Sequence, residues 1–544
     1  MTIYLDYAAT TPVDPRVAAL MAECLTNPDA QGNPASATHG LGLAASERVE
    51  AARAEVAALI NATPAEIIFT SGATEANNLA LAGVARAARR AGTGGQVGRA
   101  HFISARTEHK SVLDALKQLE KEGFTVTLVE PDETGRVPPE AIETALRPDT
   151  LLVSLMLANN ETGVLNDVAA VAQLSAARGV LVHTDASQMV GKLPVDVRRL
   201  GVDFLSLTAH KFYGPKGIGA LFVRESARPR IAPLQLGGGH ERGLRAGTLP
   251  THQITGLGCA AALARTQGAG DAAHARDLAA RLRRELEAID GVRFNDRHPE
   301  GVPGLINASF EGVEGESLVT GLPEIAVSTG SACSSATREP SYVLRALGRS
   351  AELAQSSLRL SLGRFTTARD VDAAATAIRA EVTRLRVLAG GRDQPPAPHV
   401  DKDSRLATGN TLLGRSLSPL ARRYFLAPAR PPEFPDGAPS TEIRQGEAGR
   451  DSEGTRVRFE LKIARGTVKS ARFSAYGCPH TLAVTAWLCE TLEGAPLATA
   501  VPNSMELGTP VDWARKFAVP AEKLGRLLVV EDALRAALGL ARQV

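Results

Sequence analysis

Thr208-Ala209-His210-Lys211-Phe212-Tyr213-Gly214-Pro215-Lys216-Gly217 follows directly on the run Phe204–Leu207. The short run reads as a strand, so these polar residues stand just past its carboxyl end. A lysine there, flanked by His210 and a Gly-rich turn, can form a Schiff base with an aldehyde cofactor. A lone lysine is ordinarily a solvated surface residue. The segments around this one decide between the two readings.

Other short apolar runs lie on both sides: Ile67–Thr70, Phe102–Ser104, Leu151–Leu157, Val180–Thr184 and Gly219–Val223. Helical patterns separate them. One carries Val49, Ala52, Val56, Leu59 and Ile60 on a single stripe; another spans Ala76–Ala88. Apolar strands alternating with helices predict a mostly parallel α/β sheet buried on both faces. Such sheets bind ligands beyond the carboxyl ends of their strands. Asp185 closes one run, and a buried Asp needs a partner; a protonated pyridine nitrogen would be one. Helix N-capping is the plainer role for it. Thr70-Ser71-Gly72-Ala73-Thr74-Glu75 leads from strand to helix, where backbone N–H groups can take a phosphate or Thr74 can simply cap. His109 and Asn160 follow two further runs. Arg359 sits in an apolar alternating stretch, where it needs an anion such as a substrate carboxylate.

Composition limits the rest. The 61 basic and 59 acidic residues nearly cancel, so no charge excess points to nucleic acid or a membrane. Five cysteines, with no CxxC, exclude a disulfide framework and a closed all-Cys zinc site. No basic leader precedes an apolar run, and no stretch reaches the ~18 apolar residues of a spanning helix. The expected setting is the cytoplasm. Cys24 and Cys259 lie in Ala/Leu-rich helical contexts and read as core. Cys333 lies among small polar residues, Ser328–Ser335, as a loop thiol would. Residues 389–411 are rich in Gly, Pro and charge and read as a linker. Beyond it, Val457, Phe459, Leu461 and Ile463 alternate with polar residues, Thr467–Ser474 reads as an antiparallel neighbour, and helices follow Gly477 and cover Glu531–Arg542. That is a small α+β unit over 412–544.

The ordered segments YLDYAATTP, GNPAS, FTSGATEANN, TEHKSVLDAL, NNETG, HTDASQ, TAHKFYGPKG, GGGHERGLRAGT, SACSSATREPSYVLRALG and SSLRLSLGRFT closely resemble the cysteine desulfurases. These are pyridoxal-phosphate enzymes of the class V aminotransferase superfamily, and the likeness covers residues 1–388. It implies fold type I: a large, mostly parallel seven-stranded subdomain over about 16–254, and a small α+β subdomain from 1–15 plus 255–388. It implies that Lys211 holds pyridoxal 5'-phosphate, His109 stacks on the ring, Asp185 pairs the pyridine nitrogen and Gln188 faces the ring hydroxyl. Ala73, Thr74, Thr208 and His210 would hold the phosphate, joined by Thr248 from the second subunit of a homodimer. Asn160 and Arg359 would bind the carboxylate of L-cysteine. Cys333 would take the sulfur as a persulfide.

The C-terminal unit resembles the iron–sulfur cluster scaffold family in LSPLARRYFLAPARPPEF, AGRDSEG, VRFELKI, FSAYGCPHTLAVTAWLCETLEG and VVEDALRAAL. That family uses three cysteines and an aspartate. Here Cys478 stands at the second cysteine, Gly449 at the first, Asp451 at the aspartate, and the third is lost near Gly525 and Arg526. Cys489 reads as core. Cys478 and Asp451 fall short of the four ligands a [2Fe–2S] cluster takes. The unit is expected to be a degenerate scaffold, with Cys478 a persulfide acceptor or the whole a structural or recruiting module. The leading function is sulfur supply for iron–sulfur assembly proteins. The alternatives are sulfur donation to tRNA or cofactor thiolation, and a non-catalytic assembly platform.

Overall fold

A computed structural model describes residues 2–90, 100–295, 300–329, 340–390, 417–428, 442–500, 502 and 507–540. Its centre is a seven-stranded sheet. The strand order is Ile67–Thr70, Gly219–Val223, Phe204–Thr208, Leu181–Asp185, Thr150–Ser154, His101–Ala105 and Thr125–Val129. All run parallel except Gly219–Val223, which is antiparallel to both neighbours. The six strands before the outer edge are almost wholly buried, as their apolar runs require. Two histidines interrupt those runs and still lie inside. His183 sits between Ser154 Oγ (2.8 Å) and Ser206 Oγ (2.9 Å), and His101 between Thr150 and Thr127 hydroxyls, both at 2.9 Å. Hydroxyls on neighbouring strands thus satisfy each buried ring.

The second subdomain joins the chain's beginning to its later part. Ile3–Tyr4 pairs with Ile325–Ala326, and Leu305–Phe310 is the centre of an antiparallel sheet with Val292–Phe294 and Ser357–Ser361. One helix, Thr251–Glu287, runs through both subdomains. Its 37 residues span about 55 Å at the α-helical rise. Ile254, Leu257 and Ala261 belong to the core under the large sheet, and Leu278, Leu282 and Leu286 to the other core. Cys24 is buried as expected; Cys259, on this long helix, is only half-buried.

The C-terminal unit is an antiparallel sheet of Glu442–Arg450, Thr455–Ala464 and Thr467–Tyr476. Every second residue of the middle strand is buried, which is the alternation read from Val457 to Ile463. Helices Pro419–Leu426, Pro479–Leu492, Pro510–Phe517 and Leu524–Leu538 pack with it. Two helices differ in their bounds from the sequence reading. The last helix spans Leu524–Leu538 and stops at Gly539, whose φ of 74° ends it in a left-handed cap. The helix read as Ala76–Ala88 spans Ala73–Arg90, so Thr74 lies in its first turn and is not its cap. The expected linker falls almost entirely outside the described residues.

Candidate active site

Asp185 is the last residue of its strand, and Lys211 lies in the single turn Ala209–Lys211 after the next one. His109 caps the helix Lys110–Lys121, Asn160 follows Thr150–Ser154, and the helix Ala73–Arg90 opens after Ile67–Thr70. The sheet therefore gathers the candidates from five segments at one end, the carboxyl end of its parallel strands.

A chain of hydrogen bonds joins three of those segments. Asn77 Nδ2 donates to Asp185 Oδ2 and to Ser111 Oγ, each at 2.8 Å. Ser111 Oγ meets His109 Nδ1 at 2.9 Å. The Ser111 backbone N–H also donates to that nitrogen at 3.1 Å, so Nδ1 is an acceptor and neutral His109 carries its proton on Nε2. Burial holds the imidazole below its ordinary range. Burial works against the Asp185 charge, but Lys211 and hydrogen bonds from Ser187 (backbone N–H at 2.9 Å) and Asn77 outweigh it. They hold the carboxyl below its usual range. Asp185 is a buried anion facing a cation, not a helix cap.

Arg359 is anchored across the subdomains. Its guanidinium donates to the Asn160 carbonyl (3.0 Å), Asp6 Oδ1 (3.0 Å) and Ser328 Oγ (2.8 Å). Its Nε and the Asn160 side-chain oxygen are buried without hydrogen-bond partners. Two groups that polar and that unsatisfied are what a substrate site leaves open. At the phosphate end, Gly72 has φ of 152°, and a Cβ there would stand 3.8 Å from Thr208 Oγ1. The N-terminus of the helix Ala73–Arg90 is thus held against the end of the lysine strand. His210 Nδ1 lies 3.2 Å from Thr10 Oγ1, and burial, with nearby Lys211, pushes its imidazole down to about 4. Thr74 and Thr248 are exposed in the single chain, and Cys333 lies outside the described residues.

Sequence reading missed several residues. Lys192 Nζ donates to Gln188 Oε1 at 2.9 Å, while Gln188 Nε2 donates to the Ala8 carbonyl at 2.8 Å. Burial, then the charges of Lys211 and Arg359, push Lys192 down to about 7. Its spacing of four from Gln188 was the available signal. Glu161, beside Asn160, is pushed up to about 7 by burial and accepts a hydrogen bond from Ser341 Oγ. Glu108, beside His109, is wholly buried, accepts from the Met156 N–H, and is raised well above the carboxylate range by burial.

In the C-terminal unit the two candidate ligands have other partners. Asp451 pairs with Arg456 Nε at 2.8 Å. Cys478 is 1% exposed and lies beside Thr481 and Arg526. Cys489 is core, as expected.

The large-unit residues fit pyridoxal phosphate. A buried carboxylate held ionised suits a pyridinium, the unsatisfied Arg359 Nε–H suits a carboxylate, the unsatisfied Asn160 oxygen suits a substrate donor, and a helix N-terminus against Thr208 suits a phosphate. Similarity to known proteins agrees. Residues 3–374 match the Aminotransferase class-V family and residues 435–540 the NifU-like N terminal domain. The chain is 54% identical over 388 residues to "Cysteine desulfurase IscS" of Aeromonas salmonicida, and 53% identical over 388 residues to that of Pseudomonas entomophila. Each match covers 71% of this chain and 94% of the relative. A solved structure titled "NIFS-LIKE PROTEIN" superposes with a TM-score of 0.63 at 36% identity, covering 70% of this chain and 98% of that one. The chain belongs to the class-V aminotransferases, and among them to the cysteine desulfurases.

Proposed function

We propose that the protein converts L-cysteine to L-alanine, leaves the sulfur as a persulfide on Cys333, and supplies it for iron–sulfur cluster assembly as a cytoplasmic homodimer. The observation that carries the reading is the ionised Asp185 facing Lys211 at the strand ends, tied through Asn77 and Ser111 to His109. Lys211 would hold pyridoxal phosphate, Asp185 its pyridinium, Gln188 its hydroxyl, and Ala73, Thr74, Thr208 and His210 its phosphate, with Thr248 supplied by the partner. When bound, the cofactor withdraws electrons from the substrate's α-carbon.

The protein's own groups do the rest. Arg359, braced by Asp6 and Ser328, pairs the substrate carboxylate, and the open side-chain oxygen of Asn160 accepts from the substrate. The Lys211 amine takes the α-proton. His109, neutral and protonated on Nε2, is set to donate there. The Cys333 thiolate bonds to the substrate sulfur as the carbon–sulfur bond breaks; alanine leaves after protonation. The exposure of Thr248 is consistent with the role the family resemblance gives it, reaching the site of a second copy. Among the described residues no helix is long and apolar enough to cross a membrane. The test is quantification of alanine and protein-bound persulfide from L-cysteine with the cofactor-loaded protein. Equal amounts are expected. Absence of alanine from fully loaded protein would favour the non-catalytic platform.

A further inference from the structure

The face of the C-terminal unit that carries Cys478 is turned onto the small subdomain. Tyr476 Oη donates to the Val313 carbonyl at 3.4 Å, and Ser317 Oγ donates to the Gly477 carbonyl at 2.8 Å. Two ion pairs close the same contact. Lys523 Nζ lies 2.5 Å from Glu316 Oε1, and Arg526 Nη1 lies 3.6 Å from Glu314 Oε1. Lys523 is 2% exposed and also donates to His480 Nδ1 at 3.2 Å. Glu314 caps the helix Gly315–Thr320 through the Ser317 N–H at 2.8 Å, so its carboxylate is fixed before Arg526 meets it. The two glutamates come from the desulfurase part and the two cations from the C-terminal part.

This network occupies the ligand end of the scaffold-like fold. Arg526, near which the sequence resemblance puts the lost third cysteine, lies close enough to Cys478 for its charge to act on the thiol. Gly449, at the first cysteine position, has φ of 80°; a Cβ there would overlap the Thr455 carbonyl oxygen and lie 2.7 Å from Val529 Cγ1. Any side chain at that point would collide with the backbone. Cys478 lies beneath this contact, only 1% exposed. Metal binding and sulfur capture both need the thiolate and access to it. Among the described residues no three His, Cys, Asp or Glu side chains converge on a metal position.

We propose that the C-terminal unit is a fixed cover on the small subdomain, locked by the partly buried pairs Arg526–Glu314 and Lys523–Glu316, and that Cys478 beneath it is a packing thiol that takes neither iron nor sulfur. A separate protein of the same fold cannot use the Val313–Ser317 face, because this unit already fills it. Sulfur leaves the large unit for an acceptor other than its own C-terminal domain. The inference holds whether or not the large unit turns over L-cysteine.

The test uses the full chain loaded with pyridoxal phosphate. Iodoacetamide modification of Cys478, followed by mass spectrometry, is expected to be on the order of 100-fold slower in folded than in urea-unfolded protein. Glu316→Gln leaves the Lys523 charge buried without its carboxylate, and is expected to speed modification of Cys478 by about tenfold in protein that stays folded. Glu285→Gln, which breaks an exposed pair with Arg379, is the control with no change. Should Glu316→Gln not fold, hydrogen exchange of the unaltered chain reads the same lock: helix Gly315–Thr320 and strand Thr467–Tyr476 are expected to be protected to the same degree. Anaerobic addition of ferrous iron and sulfide is expected to give no cluster absorbance attributable to residues 412–544. Rapid modification of Cys478 in the unaltered protein, an unchanged rate in a folded Glu316→Gln variant, unequal protection of the two elements, or a stable cluster lost in Cys478→Ala would each overturn the proposal.

Discussion

Single side chains set the chemistry of the large unit. Lys211→Ala removes the amine assigned to bond the aldehyde. The variant is expected to lose the visible band of the bound cofactor and turnover of L-cysteine; retention of either would refute the assignment of Lys211. Cys333→Ala is expected to keep that band and lose persulfide formation, which mass spectrometry of the protein after L-cysteine reads directly. Lys192 makes a subtler case. It orients the Gln188 amide from one side while Ala8 holds it from the other, so Lys192→Met is expected to lower kcat/KM about tenfold, the value of one hydrogen bond. Lys192 also writes itself into the pH dependence of stability. Its folded value of about 7 lies below the 10.5 of an unconstrained lysine. The unfolded chain therefore holds the extra proton between those values, and stability from this group falls as pH drops from 10.5 to 7. Urea midpoints measured across that window are expected to fall less steeply toward neutral pH in Lys192→Met than in the unaltered protein. Identical slopes would show that Lys192 is not the titrating group.

Whole elements decide what the C-terminal unit can be. Gly449 lies on the strand Glu442–Arg450 opposite Arg456, at a left-handed φ of 80° with the Thr455 carbonyl where a Cβ would go. Gly466, in the next hairpin, has a similar φ of 70° and open space around it. Gly466→Ala is expected to cost only the conformational penalty of about 1–2 kcal/mol. Gly449→Cys adds the overlap, another ~1–3 kcal/mol, so its urea midpoint is expected to fall clearly further. Equal losses would mean that the strand yields and that a first cysteine can be restored. The contrast also shows what sequence reading reaches. Alternation from Val457 to Ile463 disclosed the strand because burial acts on every second residue. The runs at Ile67–Thr70 and Gly219–Val223 gave strand limits directly, because both faces are covered. The end of the last helix was misplaced, since Gly539 outweighed the apolar period beyond it. Segments after the strands gave most candidate residues, because a parallel sheet brings its carboxyl ends together. The charges acting on Lys192 and the ion network around Cys478 are out of reach of the sequence, because Lys211 and Arg359 in one case and Glu314 and Glu316 in the other are brought near only by the fold.

At the scale of the molecule, the boundary between the units is marked in sequence and absent from the packing. One apolar core runs from Leu358, Val382 and Leu385 of the small subdomain to Phe459, Phe473 and Trp513 of the C-terminal unit. The helix Ala368–Leu388 lies against the strand Thr467–Tyr476, Arg384 donates to the Phe425 carbonyl at 3.0 Å, and Arg456 donates to the Ala389 carbonyl at 2.9 Å. A tethered carrier that must swing between donor and acceptor would keep a smaller and more polar contact. Two consequences can be measured. In calorimetry the C-terminal unit is expected to melt together with the small subdomain, because the two share one apolar core. A chain ending at Gly390 is expected to bind an apolar dye and to unfold at a lower temperature than the full protein, since it bares the helix faces that the C-terminal unit covers. It is also expected to keep its cofactor at low temperature, because the strand-end residues that would hold it lie in the large sheet. A separate early transition for the C-terminal unit, with a truncated chain as stable as the full one, would instead make the unit a tethered carrier.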